Sequence, residues 1–318
     1  MKTRLTGTLV SWLLLAAVLS GCFAGGRSGP GEDAPLLRGI LTLSSREGVR
    51  DVDLSTGGVR PVSDFGLNAT ERNGLYIYVG EGGADRAGYA LWRQDAQGRR
   101  PWLDVQGVAV PHQPRISLDG RYIAFDDLAY HPTTGAYGQY VLVYENQEPA
   151  RYADAVRVIP GFKSPAWLPP TPDAPAGRLV LIGYEQPGIY LTDADLRSLT
   201  LLPWNESAYG EPYQAEPSPD GARLAVVTVS GSLYVADLDA SQASLGKPRR
   251  VRSGTPSAQV LDPVWSPDGR WIAHLWGLEP RRDVVVSSAL REAPPVALRT
   301  ADGETLRGYA ESQMSWRP

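Results

Sequence analysis

The sequence predicts an all-β fold: a six-bladed β-propeller of four-stranded blades, its first blade closed by the C-terminal strand. Three observations predict it. Turn glycines recur at Gly74, Gly120, Gly177, Gly221 and Gly269, about 47 residues apart, which is one four-stranded blade per repeat. Six short apolar segments read as third strands, although only five internal turns precede inner hairpins. The chain ends on half a repeat. The 34 glycines and 27 prolines among 318 residues add the turn-rich bias such a fold needs.

Taken in order, Arg38–Leu43 reads as a second strand and Val49–Asp53 as the third strand of the first blade. The clearest full unit is Pro263-Val264-Trp265-Ser266-Pro267-Asp268-Gly269-Arg270-Trp271-Ile272-Ala273, followed closely by the units around Asp220-Gly221 and Asp119-Gly120. Pro presets φ in the first two, where the third has Leu118, and in all three Asp bonds nearby backbone and Gly takes the left-handed position that closes the hairpin. Asp119, Asp220 and Asp268 are therefore read as turn residues. Further third strands are Tyr89–Trp92, Tyr140–Val143, Ile189–Asp193, Leu233–Asp237 and Val284–Val286, with outer strands such as Arg249–Val251 and Pro295–Leu298. Ser315-Trp316-Arg317-Pro318 aligns with Val264-Trp265-Ser266-Pro267, so the C-terminus supplies the inner strand the first blade lacks and removes a free sheet edge. Trp167, Trp265 and Trp316 share one repeat position and are read as packing between blades.

The N-terminus carries an address. Lys2 and Arg4 precede the apolar run Leu9–Leu19, too short to span a bilayer comfortably and suited to a secretory h-region. It ends in Leu19-Ser20-Gly21-Cys22, which resembles the bacterial lipobox, and Cys22 is the one cysteine of the chain. The expected organisation is a lipoprotein signal peptide over 1–21, a Gly/Pro/Ser-rich tether over 22–37 and the propeller over 38–318. Lipid such as palmitate on Cys22 would hold the protein on the outer face of the cytoplasmic membrane or on the outer membrane. Without a second cysteine no intramolecular disulfide can form, so stability must come from packing.

The Ser266-Pro267-Asp268-Gly269-x-x-Ile272-Ala273 and Leu233-Tyr234-Val235-x-Asp237-Leu238 elements resemble the WD40-like repeats of TolB-type six-bladed propellers, also found on prolyl-oligopeptidase-like enzymes. The resemblance covers about residues 38–318 and implies fold far more than function. TolB carries an N-terminal domain before its propeller, for which this sequence leaves no room, so the Tol–Pal partnership is not carried over.

Composition and motifs exclude much chemistry. The net charge of -4 gives no basic footprint for nucleic acid. No Gly-x-Ser-x-Gly, P-loop or dinucleotide fingerprint occurs, and His112, His131 and His274 lack metal-ligand spacing. Asp193-Ala194-Asp195 and Asp237-Leu238-Asp239 lack the Gly and terminal Glu of an EF-hand loop. Neither cofactor nor metal is expected.

Two columns of the repeat are candidate site positions. One place before the Trp position stand Ala69, Arg115, Ala166, Glu216, Val264 and Ser315, expected to face the channel if strand faces alternate. Arg115 and Glu216 either pair there or are solvated separately. Three places before the Trp position stand Leu67, Gln113, Ser164, Gln214, Asp262 and Gln313. A ring of amides at a channel mouth would suit a polar peptide loop or a sugar. The alternative is that these side chains cap strand-entry backbone or meet solvent. Gln113, Gln214, Asp262 and Gln313 are the expected contacts, flanked by His112 and Glu311. The function expected is a monomeric, membrane-tethered, non-catalytic scaffold binding an envelope protein or polar ligand. The alternative is a channel-face enzyme, a lyase or glycoside-acting propeller.

Overall fold

The structure is a computed structural model that describes residues 37–45, 47–82, 88–104, 111–147, 151–278, 280–309 and 312–318. The expected signal peptide, Cys22 and all but the last residue of the expected tether lie outside the described residues.

Six antiparallel sheets form the blades of a ring. From the channel outward, blade one is Met314–Arg317, Ile40–Ser45, Gly48–Asp53 and Val59–Ser63, and blade two is Leu67–Arg72, Leu75–Glu81, Tyr89–Asp95 and Gly98–Asp104. Blade three is His112–Ile116, Tyr122–Tyr130, Tyr137–Glu145 and Arg157–Pro160, and blade four is Phe162–Trp167, Leu179–Gly183, Ile189–Thr192 and Leu199–Leu201. Blade five begins Pro212–Pro217, Arg223–Thr228, Leu233–Asp239, and its outer position is shared by Ser244–Leu245 and Arg249–Arg252. Blade six begins Gln259–Trp265, Trp271–Leu278, Arg281–Ser288, and its outer position is shared by Val296–Ala297 and Arg307–Gly308.

The C-terminal strand closes the ring as the half-repeat predicts, with Leu43 opposite Met314, Leu41 opposite Trp316 and Ile40 opposite Arg317. Its buried residue is Met314, 1% exposed, whereas Trp316 is only partly buried and donates its indole N–H to Arg38 O at 2.9 Å. Apolar side chains gather in six clusters among the described residues, one at each junction between neighbouring blades; Leu41, Leu43 and Met314 meet Leu275 and Val286 where blade one joins blade six. Each blade buries both faces, which is why a second strand such as Leu179–Gly183 is buried at every position and reads as a continuous apolar run instead of alternating.

The turns form as their chemistry dictates. Gly221 and Gly269 sit at φ +71° and +67°, a region a Cβ disfavours. Asp220 and Asp268 accept the Ser218 and Ser266 hydroxyls and the N–H groups of Ala222 and Arg270. Trp167 and Trp265 donate their indole N–H to Arg115 O and Glu216 O of the preceding blade. Packing between blades is their role.

Blade two departs from the repeat. Its hairpin is the two-residue turn Asn73-Gly74, φ +53° and +78°, the type I′ geometry that joins strands most tightly. Counting back from Gly74 therefore misplaces the inner strand by one residue. The inner strands of blades two, three, four and six bulge at one level, where Asn68, Gln113, Ser164 and Asp262 adopt φ of +48° to +56°. That level corrects the columns: Asn68, not Leu67, joins the amide column, and Thr70, not Ala69, joins the column of Arg115 and Glu216.

Candidate functional site

The six inner strands run the same way around the channel, so one mouth collects their starts and the other collects the inner hairpin turns. At the strand-entry end, Asn68, Gln113, Ser164, Gln214, Asp262 and Gln313 form a polar girdle. All are buried except the half-buried Gln113. Ser164 Oγ donates to Gln113 Oε1 at 2.6 Å, tying blade four to blade three. Gln214 and Asp262 tie blade five to blade six through two bonds of 2.9 Å, Nε2 to Oδ1 and the Asp262 N–H to Gln214 Oε1. Asn68 Nδ2 donates to Pro111 O at 3.3 Å, and Gln313 Nε2 to Pro114 O at 2.9 Å. Burial pushes the Asp262 carboxyl up to about 6, against the bond from Gln214. The structure thus brings Gln113, Gln214, Asp262 and Gln313 to one level; both polar ends of the Gln214 amide and one end each of Gln113 and Gln313 bond neighbouring blades, while Gln313 Oε1 is buried without a partner. His112 stands exposed above them, and Glu311 lies outside the described residues.

Around the same mouth the surface is aromatic. Tyr130, Tyr137 and Tyr184 are about half exposed and Tyr213 is 39% exposed. Each sits at the end of a second strand, the start of a third or the start of an inner strand, hence on the strand-entry face. Lys163 Nζ lies 4.6 Å from the Tyr213 ring centre and 5.8 Å from that of Tyr184, within cation–π range. Burial lowers the Lys163 pKa, opposed by Asp126 and Glu211. Beneath this rim Asp126 and Asp127 are each pushed up to about 7, first by burial and, for Asp127, then by the charge of Asp126. Asp127 is fully buried and neither carboxyl oxygen has a hydrogen-bond partner.

The turn-side end is a funnel of about 890 Å³. Arg115 reaches Glu216 at 3.3 Å across the channel, the direct pair that the column of strand faces allowed. Burial raises the Glu216 pKa against the pull of Arg115. Arg317 of the closing strand bonds Asp51 at 2.7 Å and Glu71 at 2.9 Å. Burial alone would raise Asp51, but hydrogen bonds from Tyr76, Thr42 and Arg317 outweigh it and hold the carboxyl below its ordinary value. Arg72, on the same wall, is half-buried, makes no ion pair, and has a buried Nε without a hydrogen-bond partner. Burial lowers its pKa, partly offset by Glu71 and Glu216. Sequence reasoning missed Arg72 and the tyrosine rim. The available signal was that Arg72 and Arg317 follow the Trp position where blades three, five and six carry the turn-capping Ser117, Ser218 and Ser266.

Among the described residues no three His, Cys, Asp or Glu side chains are placed to hold a metal ion. His274 is fully buried between Ser287 Oγ at 3.0 Å and Leu275 O at 3.2 Å, and burial lowers its pKa to about 4. No helix among the described residues is long and apolar enough to cross a membrane.

No family model and no curated protein sequence matches the chain. Solved structures do. A chain of a nidogen/laminin complex superposes with a TM-score of 0.58 at 11% identity, over 87% of this chain and 97% of that one. TolB from Acinetobacter baumannii gives 0.55 at 15% identity, over 88% and 67%. A provisionally named TolB from Agrobacterium tumefaciens gives 0.52 at 14% identity, over 89% and 99%. At such identities the likeness establishes the fold, a TolB-like six-bladed β-propeller.

Proposed function

We propose that the protein is a lipid-tethered, non-catalytic propeller of the cell envelope that binds a partner protein at its strand-entry mouth. The observation that carries this reading is the set of exposed tyrosines on this face, Tyr130 beside Tyr137 and Lys163 against Tyr184 and Tyr213. Tyrosines supply large contact area at low entropic cost and concentrate at protein interfaces, while a cation held on their faces gives orientation. His112 and Gln113 add polar contacts beside it, suited to a polar loop, and the bonded Gln214, Asp262 and Gln313 hold the mouth in shape from behind. A chain of like fold belongs to a solved nidogen/laminin complex, a precedent for a protein partner. Cys22 would carry the lipid, with the monomeric body facing away from the cytoplasm.

A photocrosslinking residue at position 184 or 213, introduced into full-length protein in its native envelope, should trap one discrete partner. The same residue at position 197, on the opposite face, should not. Equal trapping at both faces would sink the assignment of the mouth. Cys22→Ser should leave the precursor unprocessed and weakly membrane-bound, because lasting attachment needs more than one acyl chain. Unchanged detergent partitioning of that variant would refute the anchor.

A further inference from the structure

The turn-side funnel is a second site, remote from the proposed docking mouth. We propose that it binds a small monocarboxylate, with the Arg72 guanidinium as its anchor. The argument begins with register. In blades three, five and six the residue after the Trp position is a serine whose hydroxyl caps the hairpin, as Ser117, Ser218 and Ser266 do. The Asn73-Gly74 turn of blade two needs no such cap, and at that position stands Arg72. Arg317 occupies the equivalent place in blade one but is committed to Asp51 and Glu71.

The two carboxylates whose charge acts on Arg72, Glu71 and Glu216, are each ion-paired with another arginine. Glu71 is ion-paired with Arg317 at 2.9 Å, and its Oε1 accepts the Gly74 N–H at 2.7 Å. Glu216 is engaged by Arg115. Arg72 is the guanidinium of this wall without an ion pair, and its Nε and that of Arg115 are both buried without acceptors. A guanidinium taken out of water without a counter-charge is costly, and its planar fork matches a carboxylate through two parallel N–H···O bonds. A ligand carboxylate would supply the ion-pair partner that Arg72 lacks.

Two features select the ligand class. Glu71 and Glu216 also line the funnel, so a phosphate dianion meets about twice the repulsion a monoanion meets. The volume of about 890 Å³ lies within the range of small-molecule sites, and Trp167, Trp265 and Pro219 offer apolar surface to the body of the ligand.

The test is calorimetric titration of the full chain in detergent with sodium benzoate, sodium gluconate, inorganic phosphate and sodium chloride. At least one carboxylate should bind more tightly than phosphate or chloride. Arg72→Gln should weaken it about tenfold or more, the loss of a charge-assisted hydrogen bond. Arg72→Lys should retain part of the affinity, and Arg197→Gln, which removes an exposed positive charge elsewhere, should retain all of it. A melting temperature of Arg72→Gln equal to wild type excludes misfolding as the cause. The proposal is overturned if no carboxylate binds above chloride, if Arg72→Gln binds as wild type does, or if phosphate binds more tightly than both carboxylates.

Discussion

The two ends of the channel are built on the same six strands and solve opposite problems. At the strand-entry end, polar side chains from all six blades meet at one level and bond mainly to one another or to neighbouring backbone. At the turn-side end, charged side chains surround a hollow and one guanidinium makes no ion pair. The contrast teaches that a column of amides in a sequence is a weak sign of a binding site. What matters is whether the bonding capacity of those groups is already used. On that criterion the girdle is a clasp between blades, and the places able to receive a partner are the tyrosine rim outside it and the funnel at the far end.

The comparison can be broken most forcefully through the one strand that serves both ends. Deleting residues 312–318 removes Gln313 from the girdle and Arg317 from the funnel, takes Met314 out of the core between blades one and six, and exposes a sheet edge. Loss of a buried methionine side chain alone costs about 2–5 kcal/mol. Cooperative thermal unfolding followed by circular dichroism should vanish or shift down by more than 10 °C, roughly. A truncated chain that melts like wild type would show that the ring does not depend on this closure.

Next in size is a pH effect confined to the strand-entry end. The folded-state pKa of Asp127 is about 7, above its unfolded value, so the folded protein holds this proton more tightly than the unfolded chain does. Stability is therefore unaffected below about pH 4 and falls as pH rises toward 7, where the buried carboxyl must ionise. Asp127→Asn should leave the melting temperature near wild type at pH 4 and raise stability by about 1–4 kcal/mol at pH 8. A gain that is equal at both pH values would mean the group is not titrating in this range.

The clasp itself is tested by Gln214→Ala, Asp262→Ala and their combination. Each single change leaves a buried partner unsatisfied and should cost about 1–3 kcal/mol, with a coupling above about 0.5 kcal/mol in chemical denaturation. The sequence alone would have the triple change Gln113→Ala, Gln214→Ala, Gln313→Ala spare stability. With two of these side chains buried and bonded, it is expected to lower it. The smallest effect belongs to Arg115 and Glu216, whose side chains retain 12% and 20% exposure. A double-mutant cycle should give about 0.5–1 kcal/mol of coupling, and strict additivity would reduce the pair to proximity.

The sequence by itself determined what is encoded within a few neighbouring residues. The Ser-x-Asp-Gly turns, the strand following each and the terminal half-repeat carried the six blades, their order and the closing strand, because turn chemistry and period are local properties. The shared repeat phase of Arg115 and Glu216 was legible too, although whether they pair or are solvated separately was not. Tertiary structure decided the rest. The shortened Asn73-Gly74 turn shifted blade two by one residue, which replaced Leu67 with Asn68 in one column and Ala69 with Thr70 in another. The use of the amides, the gathering of Tyr130, Tyr137, Tyr184 and Tyr213 on one face, and the isolation of Arg72 depend on distances between blades. Residues that meet there are as far apart in the chain as Arg115 and Glu216, separated by 101 positions. No local rule sets whether a charge finds its partner across such a gap.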